Sequence, residues 1–64
     1  MNASTMSHWL DFDDATDVWR HNLQGKSIAA IAAWFDVSQS QVDAVLKGRI
    51  HPGSLRAALQ SILV

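Results

Sequence analysis

A chain of 64 residues has room for one domain, and a domain of this size buries too small a fraction of its surface to be more than marginally stable alone. A hydrophobic content of 48% excludes a disordered tail, and the lack of cysteine excludes a disulfide framework and thiolate zinc sites. The net charge of −1 is divided unevenly, with a balance of −3 over residues 1–24 (Asp11, Asp13, Asp14 and Asp17 against Arg20) and +2 over residues 25–64 (Lys26, Lys47, Arg49 and Arg56 against Asp36 and Asp43). An anionic partner is therefore expected on the second part of the chain.

Residues 1–6 are small and polar and are expected to form a flexible N-terminus, with the folded domain over residues 7–64. The opening "MNASTMSHWL" lacks the basic start and apolar core of a signal peptide, and no apolar run is long enough to span a membrane. A cytoplasmic location is expected. "DFDDATDVWRHNLQGKS" predicts a first helix whose apolar stripe is Phe12, Ala15, Trp19 and Leu23. Its aspartates crowd the front, where the helix dipole favours negative charge, and Gly25 stops it.

Ser27 is the expected cap of a second helix, "IAAIAAWF", with Ile28, Ile31, Ala32 and Phe35 on one side. In "DVS", Asp36 tolerates a left-handed backbone better than most residues, Val37 turns inward and Ser38 caps the next helix. That third helix is expected from Gln39 to about Lys47, with Val42, Val45 and Leu46 buried and Gly48 at its end. "RIHPGS" reads as a loop. Ser54 then caps a fourth helix whose apolar stripe is Leu55, Leu59, Ile62 and Leu63. The expected fold is all-α, with four short helices around one core.

The order small residue, left-handed turn residue, apolar plug, and two apolar residues three apart is what two steeply crossed helices need. Ala32, Asp36, Val37 and the pair Val42 and Val45 fill those positions. The stretch "SIAAIAAWFDVSQSQVDAVLKGRIHPGSLRAALQSIL" resembles the lambda-repressor/Cro (Xre-type) helix-turn-helix family, with Gln39, Ser40, Val42, Ala44 and Gly48 matching without a gap. The resemblance covers residues 27–63 and implies a compact four-helix lambda-repressor-like domain with its helix-turn-helix at helices 2 and 3. It implies a homodimeric DNA-binding regulator whose third helix reads a double-stranded operator half-site, nucleoid-associated when bound.

Carried over position by position, the resemblance gives Gln39 a bidentate contact with an adenine edge, Ser40 a bond to a neighbouring base and Ala44 a contact with a thymine methyl. Gln41 and Asp43 lie on the same helix among the base-facing candidates, and Asp43 can accept from a cytosine N4. Lys47 takes the place of a polar residue that faces phosphate. Lys26 and Arg49 are further phosphate candidates, and Ser27 and Ser38 head helices whose free N–H groups suit phosphate. The departures are Ile28 where the family commonly has glutamine, the anionic Asp43, and the lack of a basic N-terminal arm and a further dimerisation helix within these 64 residues. A plainer account makes Gln39, Ser40 and Gln41 solvated residues after a cap, and Lys47 and Arg49 partners of a helix C-terminus.

Trp34 falls opposite the inward side of helix 2, and an exposed tryptophan is a typical interface anchor; Trp9 poses the same question. The plainer account folds Trp34 against helix 1. His8, His21 and His51 lie far apart without ligand spacing, so no metal is expected, and they read as surface or cap histidines. No nucleophile–base arrangement or phosphate-binding glycine loop suggests catalysis or a cofactor. The second expectation for function is a helix-turn-helix module that binds and inhibits or modulates another protein, anchored by its tryptophans.

Overall fold

The first helix begins where two aspartates hold each other's backbone. In the computed structural model, which describes residues 9–63, Asp11 Oδ1 accepts from the Asp14 amide at 2.8 Å and Asp14 Oδ2 from the Asp11 amide at 3.1 Å. This reciprocal capping box satisfies two otherwise orphaned donors. Leu10 and Ala15, at the positions that staple a helix start, both lie in the core. The flexible segment expected over residues 1–6 lies outside the described residues.

Four helices follow: α1 (Phe12–Leu23), α2 (Ile28–Phe35), α3 (Gln39–Leu46) and α4 (Ser54–Leu63), with no strand among the described residues. The first three end alike. Gly25, Asp36 and Gly48 take left-handed φ of 91°, 58° and 74°. The amides of those residues bond to the carbonyls of Asn22, Ala33 and Val45, and the amides of Lys26, Val37 and Arg49 bond five residues back to His21, Ala32 and Ala44. These crossed pairs are Schellman motifs, which close a helix and reverse the chain within two residues. Ser27 and Ser38 then cap α2 and α3 by accepting from the Ala30 and Gln41 amides at 3.1 and 3.2 Å.

Helix α1 is the element that packs on all three others, α4 foremost, while α2 and α3 pack on each other. The core is Leu10, Ala15, Val18, Ile31, Ala32, Val42 and Val45, with Trp19, Ile28, Phe35, Val37 and Leu46 packed against it. Ile31, Ala32, Val37, Val42 and Val45 thus stand where the sequence places them.

Helix α4 presents a different side from that expected, and α1 does so in part, since Ala15 is buried and Trp19 packs on the core as expected. In α1 the buried residues are Ala15, Thr16 and Val18, and Phe12 and Leu23 are exposed. The Thr16 hydroxyl donates to the Phe12 carbonyl at 3.0 Å, which lets that polar side chain sit inside. In α4 the buried residues are Ser54 and Ala58, whereas Leu55, Leu59, Ile62 and Leu63 are exposed. Small side chains let α4 approach α1 closely, and the leucines fall about a third of a turn away at 100° per residue. Ser54 is the first residue of α4 rather than its cap, and the Gly53 carbonyl accepts from the Ala57 amide at 3.0 Å.

The left-handed turns predict a pair of opposite stability changes. Asp36→Gly relieves a side-chain residue of a conformation that costs about 1 kcal/mol, so the melting temperature should rise by about 4–8 °C. Gly48→Ala imposes the same cost in open space and should lower it by a similar amount. Thermal unfolding followed by circular dichroism checks both.

Candidate nucleic-acid interface

With Val42 and Val45 buried and Leu46 partly so, the geometry of α3 sends Ser40 and Lys47 away from the core, flanked by Asp43 and Ala44. Gln39, Ser40 and Lys47 are exposed; Gln41, Asp43 and Ala44 are half-buried. The Ser38 cap holds Gln39 at the first position of the helix, leaving its amide free of any hydrogen bond among the described residues. Ser40 Oγ lies 3.0 Å from Ser38 Oγ, so its hydroxyl is shared with the cap.

The face is electrically balanced. Lys47 Nζ donates to Asp43 Oδ1 at 2.7 Å, an i,i+4 pair one turn apart on the same side of α3. Such a partly exposed pair adds only a few tenths of a kcal/mol once screened by water, but it cancels both charges where an anion would approach. Arg49, just past the helix, is exposed, and its guanidinium has no hydrogen-bond or ion-pair partner among the described residues.

The remaining phosphate candidates lie at the start of α2. Ser27 is occupied by its cap bond. Lys26 Nζ is 2.9 Å from His21 Nδ1 and 5.7 Å from the centroid of the Trp34 ring. Lys26 is therefore held at the corner between α1 and α2, with His21 as acceptor through a neutral ring nitrogen. Trp34 tilts against His21 at 5.3 Å between centroids, and Phe35 meets the same imidazole edge-on at 5.8 Å. Trp34 does fold against helix 1, yet it stays 71% exposed.

Trp9 belongs to a different surface. With Leu10, Ser40, Gln41, Ala44, Ile50 and His51 it lines a cavity of about 470 Å³ on one flank of α3. The structure thus groups Trp9 with Ser40, Gln41 and Ala44, and groups Trp34 with Lys26. Sequence reasoning missed His51. Its Nε2 lies 2.6 Å from the Leu10 carbonyl, 41 residues away, and so carries the proton it donates. Its ring meets Phe12 edge-on at 6.2 Å, and its backbone has a left-handed φ of 49°. The Pro52–Gly53 turn beside it was the one available signal of an unusual backbone.

What the fold defines is a four-helix, all-α domain with a short, polar-faced helix held at both ends by caps. Among the described residues no helix is long and apolar enough to cross a membrane, and no three metal-ligating side chains group together. Compared with family models, curated proteins and solved structures, the chain matches none.

His51→Ala should lower stability by about 1–2 kcal/mol, because it leaves the Leu10 carbonyl without its donor and removes the contact with Phe12. Urea unfolding gives the value. A midpoint unchanged from the native chain would show that the loop is not pinned to the start of α1 by this side chain.

Proposed function

We propose that the chain is a small sequence-specific DNA-binding transcriptional regulator of lambda-repressor/Cro type, reading an operator half-site with α3. The observation that carries this reading is the exposed first turn of α3. Gln39 and Ser40 stand there side by side, on a helix whose opposite side carries the buried Val42 and Val45 and whose approach is set by the left-handed Asp36 and the Ser38 cap.

In the groove, the Gln39 amide would donate to and accept from an adenine edge, Ser40 would exchange its bond with Ser38 for a base, and the Ala44 methyl would meet a thymine methyl. Gln41, half-buried on the flank, would touch only the edge of that footprint. Arg49 would meet phosphate directly. Lys47 would do so by leaving Asp43, which is then free to accept from a cytosine N4. Lys26 and the amides at the heads of α2 and α3, below Ser27 and Ser38, would hold the flanking backbone. A homodimer would set two recognition helices roughly 34 Å apart, one turn of the duplex. A regulator of this kind works in the cytoplasm, on the nucleoid.

A second reading has one observation of its own. Trp34 at 71% exposed and Trp9 at 76% are suited to anchoring a protein partner. Pull-down of one stoichiometric protein, lost on Trp34→Ala, combined with no DNA binding, would select this alternative.

Selection from a randomised duplex pool, followed by anisotropy titration at two salt concentrations, tests the DNA reading. Absence of binding at low salt would sink it. Gln39→Ala should flatten preference at one base pair by about 1–3 kcal/mol, and Lys47→Ala should weaken every sequence and reduce the salt slope. Asp43→Asn separates the charge account from the rest. It releases Lys47 and should tighten binding to all sequences by roughly two- to fivefold while steepening the salt slope by about one. If Asp43 instead reads a cytosine, the same variant loses selectivity at one position.

A further inference from the structure

The cavity on the flank of α3 is framed by one hydrogen bond. His51 Nε2 donates to the Leu10 carbonyl at 2.6 Å, which fastens the loop after α3 to the chain just before α1. The residues next to that bond in sequence, Ile50 and Trp9, are two of the cavity's walls, and Ala44 lines it from α3. The enclosed space of about 470 Å³ falls within the roughly 300–1,000 Å³ of sites that take small molecules.

Charge and chemistry narrow the occupant. Among the described residues no Lys, Arg, Asp or Glu lines this cavity. His51 contributes a ring whose Nε2 proton is already given to Leu10. An ionised ligand would lose its water here with no counter-charge to replace it, so the cavity selects a neutral molecule. Its walls are an indole, an imidazole and the aliphatic side chains of Leu10, Ala44 and Ile50, against which a flat aromatic ring system packs well. One polar group is uncommitted. Gln41 lines the cavity half-buried, and its side-chain amide has no hydrogen-bond partner among the described residues. That amide presents an acceptor and a donor side by side, the complement of a ring N–H next to a carbonyl.

We propose that this cavity is a binding site for a neutral, flat heteroaromatic molecule of lactam type, lying against Trp9 and paired with the Gln41 amide. Size separates this occupant from a macromolecule, because a stable protein interface needs roughly 800 Å² per partner, more than so small a cavity offers. Where α3 reads DNA as proposed above, Gln41 and Ala44 cannot face the ligand and a base pair together, so the ligand would act as an effector that displaces the operator. That consequence rests on the DNA reading; the site itself does not.

Carbostyril, a neutral fused ring with adjacent N–H and C=O, is the probe, and quinaldate is its charged counterpart. In N–H correlation spectra of the nitrogen-labelled full chain, carbostyril should give saturable shifts of the Trp9 indole and the Gln41 side-chain amide and leave the Trp34 indole unmoved. Trp34 is the internal control, because it is 71% exposed on another surface and would catch a merely adhesive aromatic. Quinaldate should bind about tenfold more weakly, and Gln41→Leu should weaken carbostyril about tenfold with helical circular dichroism unchanged. Ala44→Leu, which fills the cavity from outside the core, should abolish the shifts. No saturable shift at Trp9 and Gln41, equal shifts at Trp34, equal binding of quinaldate, or native affinity in Gln41→Leu would each overturn the proposal. So would shifts of Trp9 and Gln41 that track protein concentration alone, which would mark this flank as covered by another copy. Saturating carbostyril should also weaken binding of an operator duplex, and failure there removes the effector role while leaving the site.

Discussion

The structure depends on the way its helices stop. Two helices of eight residues have little intrinsic stability, and each leaves a large share of its backbone groups without helical partners. A left-handed residue and two crossed hydrogen bonds end each of α1, α2 and α3 and turn the chain at once into the next segment. At Asp36 the conformation is costly because the residue has a side chain. Packing of the partly buried Val37 against the core immediately after it helps offset that cost and ties the turn to the core. Ser38 then fixes where α3 begins, so the placement of Gln39 and Ser40 follows from the conformation of one aspartate three residues earlier.

The same caps complicate the meaning of charge. Lys26 and Arg49 follow the left-handed residues of α1 and α3, where a cation interacts favourably with a helix C-terminus whether or not an anion ever binds. Lys47 serves Asp43. Counted as a list, the second part of the chain is basic; arranged in space, α3 is neutral along its centre and gains positive charge only at its end. Affinity for a polyanion then depends on how readily the Asp43–Lys47 pair opens, and an i,i+4 pair half in solvent opens at little cost.

Local chemistry was legible and long-range coverage was not. Ser27, Ser38, Gly25, Asp36 and Gly48 could be placed from sequence because capping and left-handed backbone are decided within a few residues. The inward residues of α3 could be placed because that helix has one apolar side, and those of α2 because its large residues, Trp34 excepted, fall on one side among alanines. The two ends of the α1 stripe, Phe12 and Leu23, and the side of α4 were misjudged for a shared reason: periodicity reveals an apolar stripe but not whether this chain covers it. Val18, Ser54 and Ala58 face inward where the stripe pattern favoured Leu23 and the α4 leucines. His51 was unreadable because its partner is a backbone carbonyl 41 residues earlier, and no side-chain pattern marks a carbonyl. At the candidate interface, the residues could be named but their engagement could not. The Ser38–Ser40 bond, the Asp43–Lys47 pair and the capture of Lys26 by His21 and Trp34 are properties of rotamers.

An interior built with Ala15, Ala32 and Ala58 brings helix axes close and leaves little room for large side chains. That is why Trp9, Trp34 and the α4 leucines remain outside, and they do so on separate surfaces. Trp34 closes over the corner of α1 and α2, the leucines run along α4, and the polar side of α3 lies beside the cavity that Trp9 lines. A chain this short cannot build a second core to absorb its surplus apolar residues. Its economical solution is to divide the surface by helix, with α3 kept polar and α4 kept nearly uncharged. The first leaves hydrogen-bonding groups available to an external polar edge, and the second leaves an apolar stripe uncovered by the described residues. A helix cannot present both on one side, because the groups that read an edge would be buried unpaired wherever such a stripe is covered.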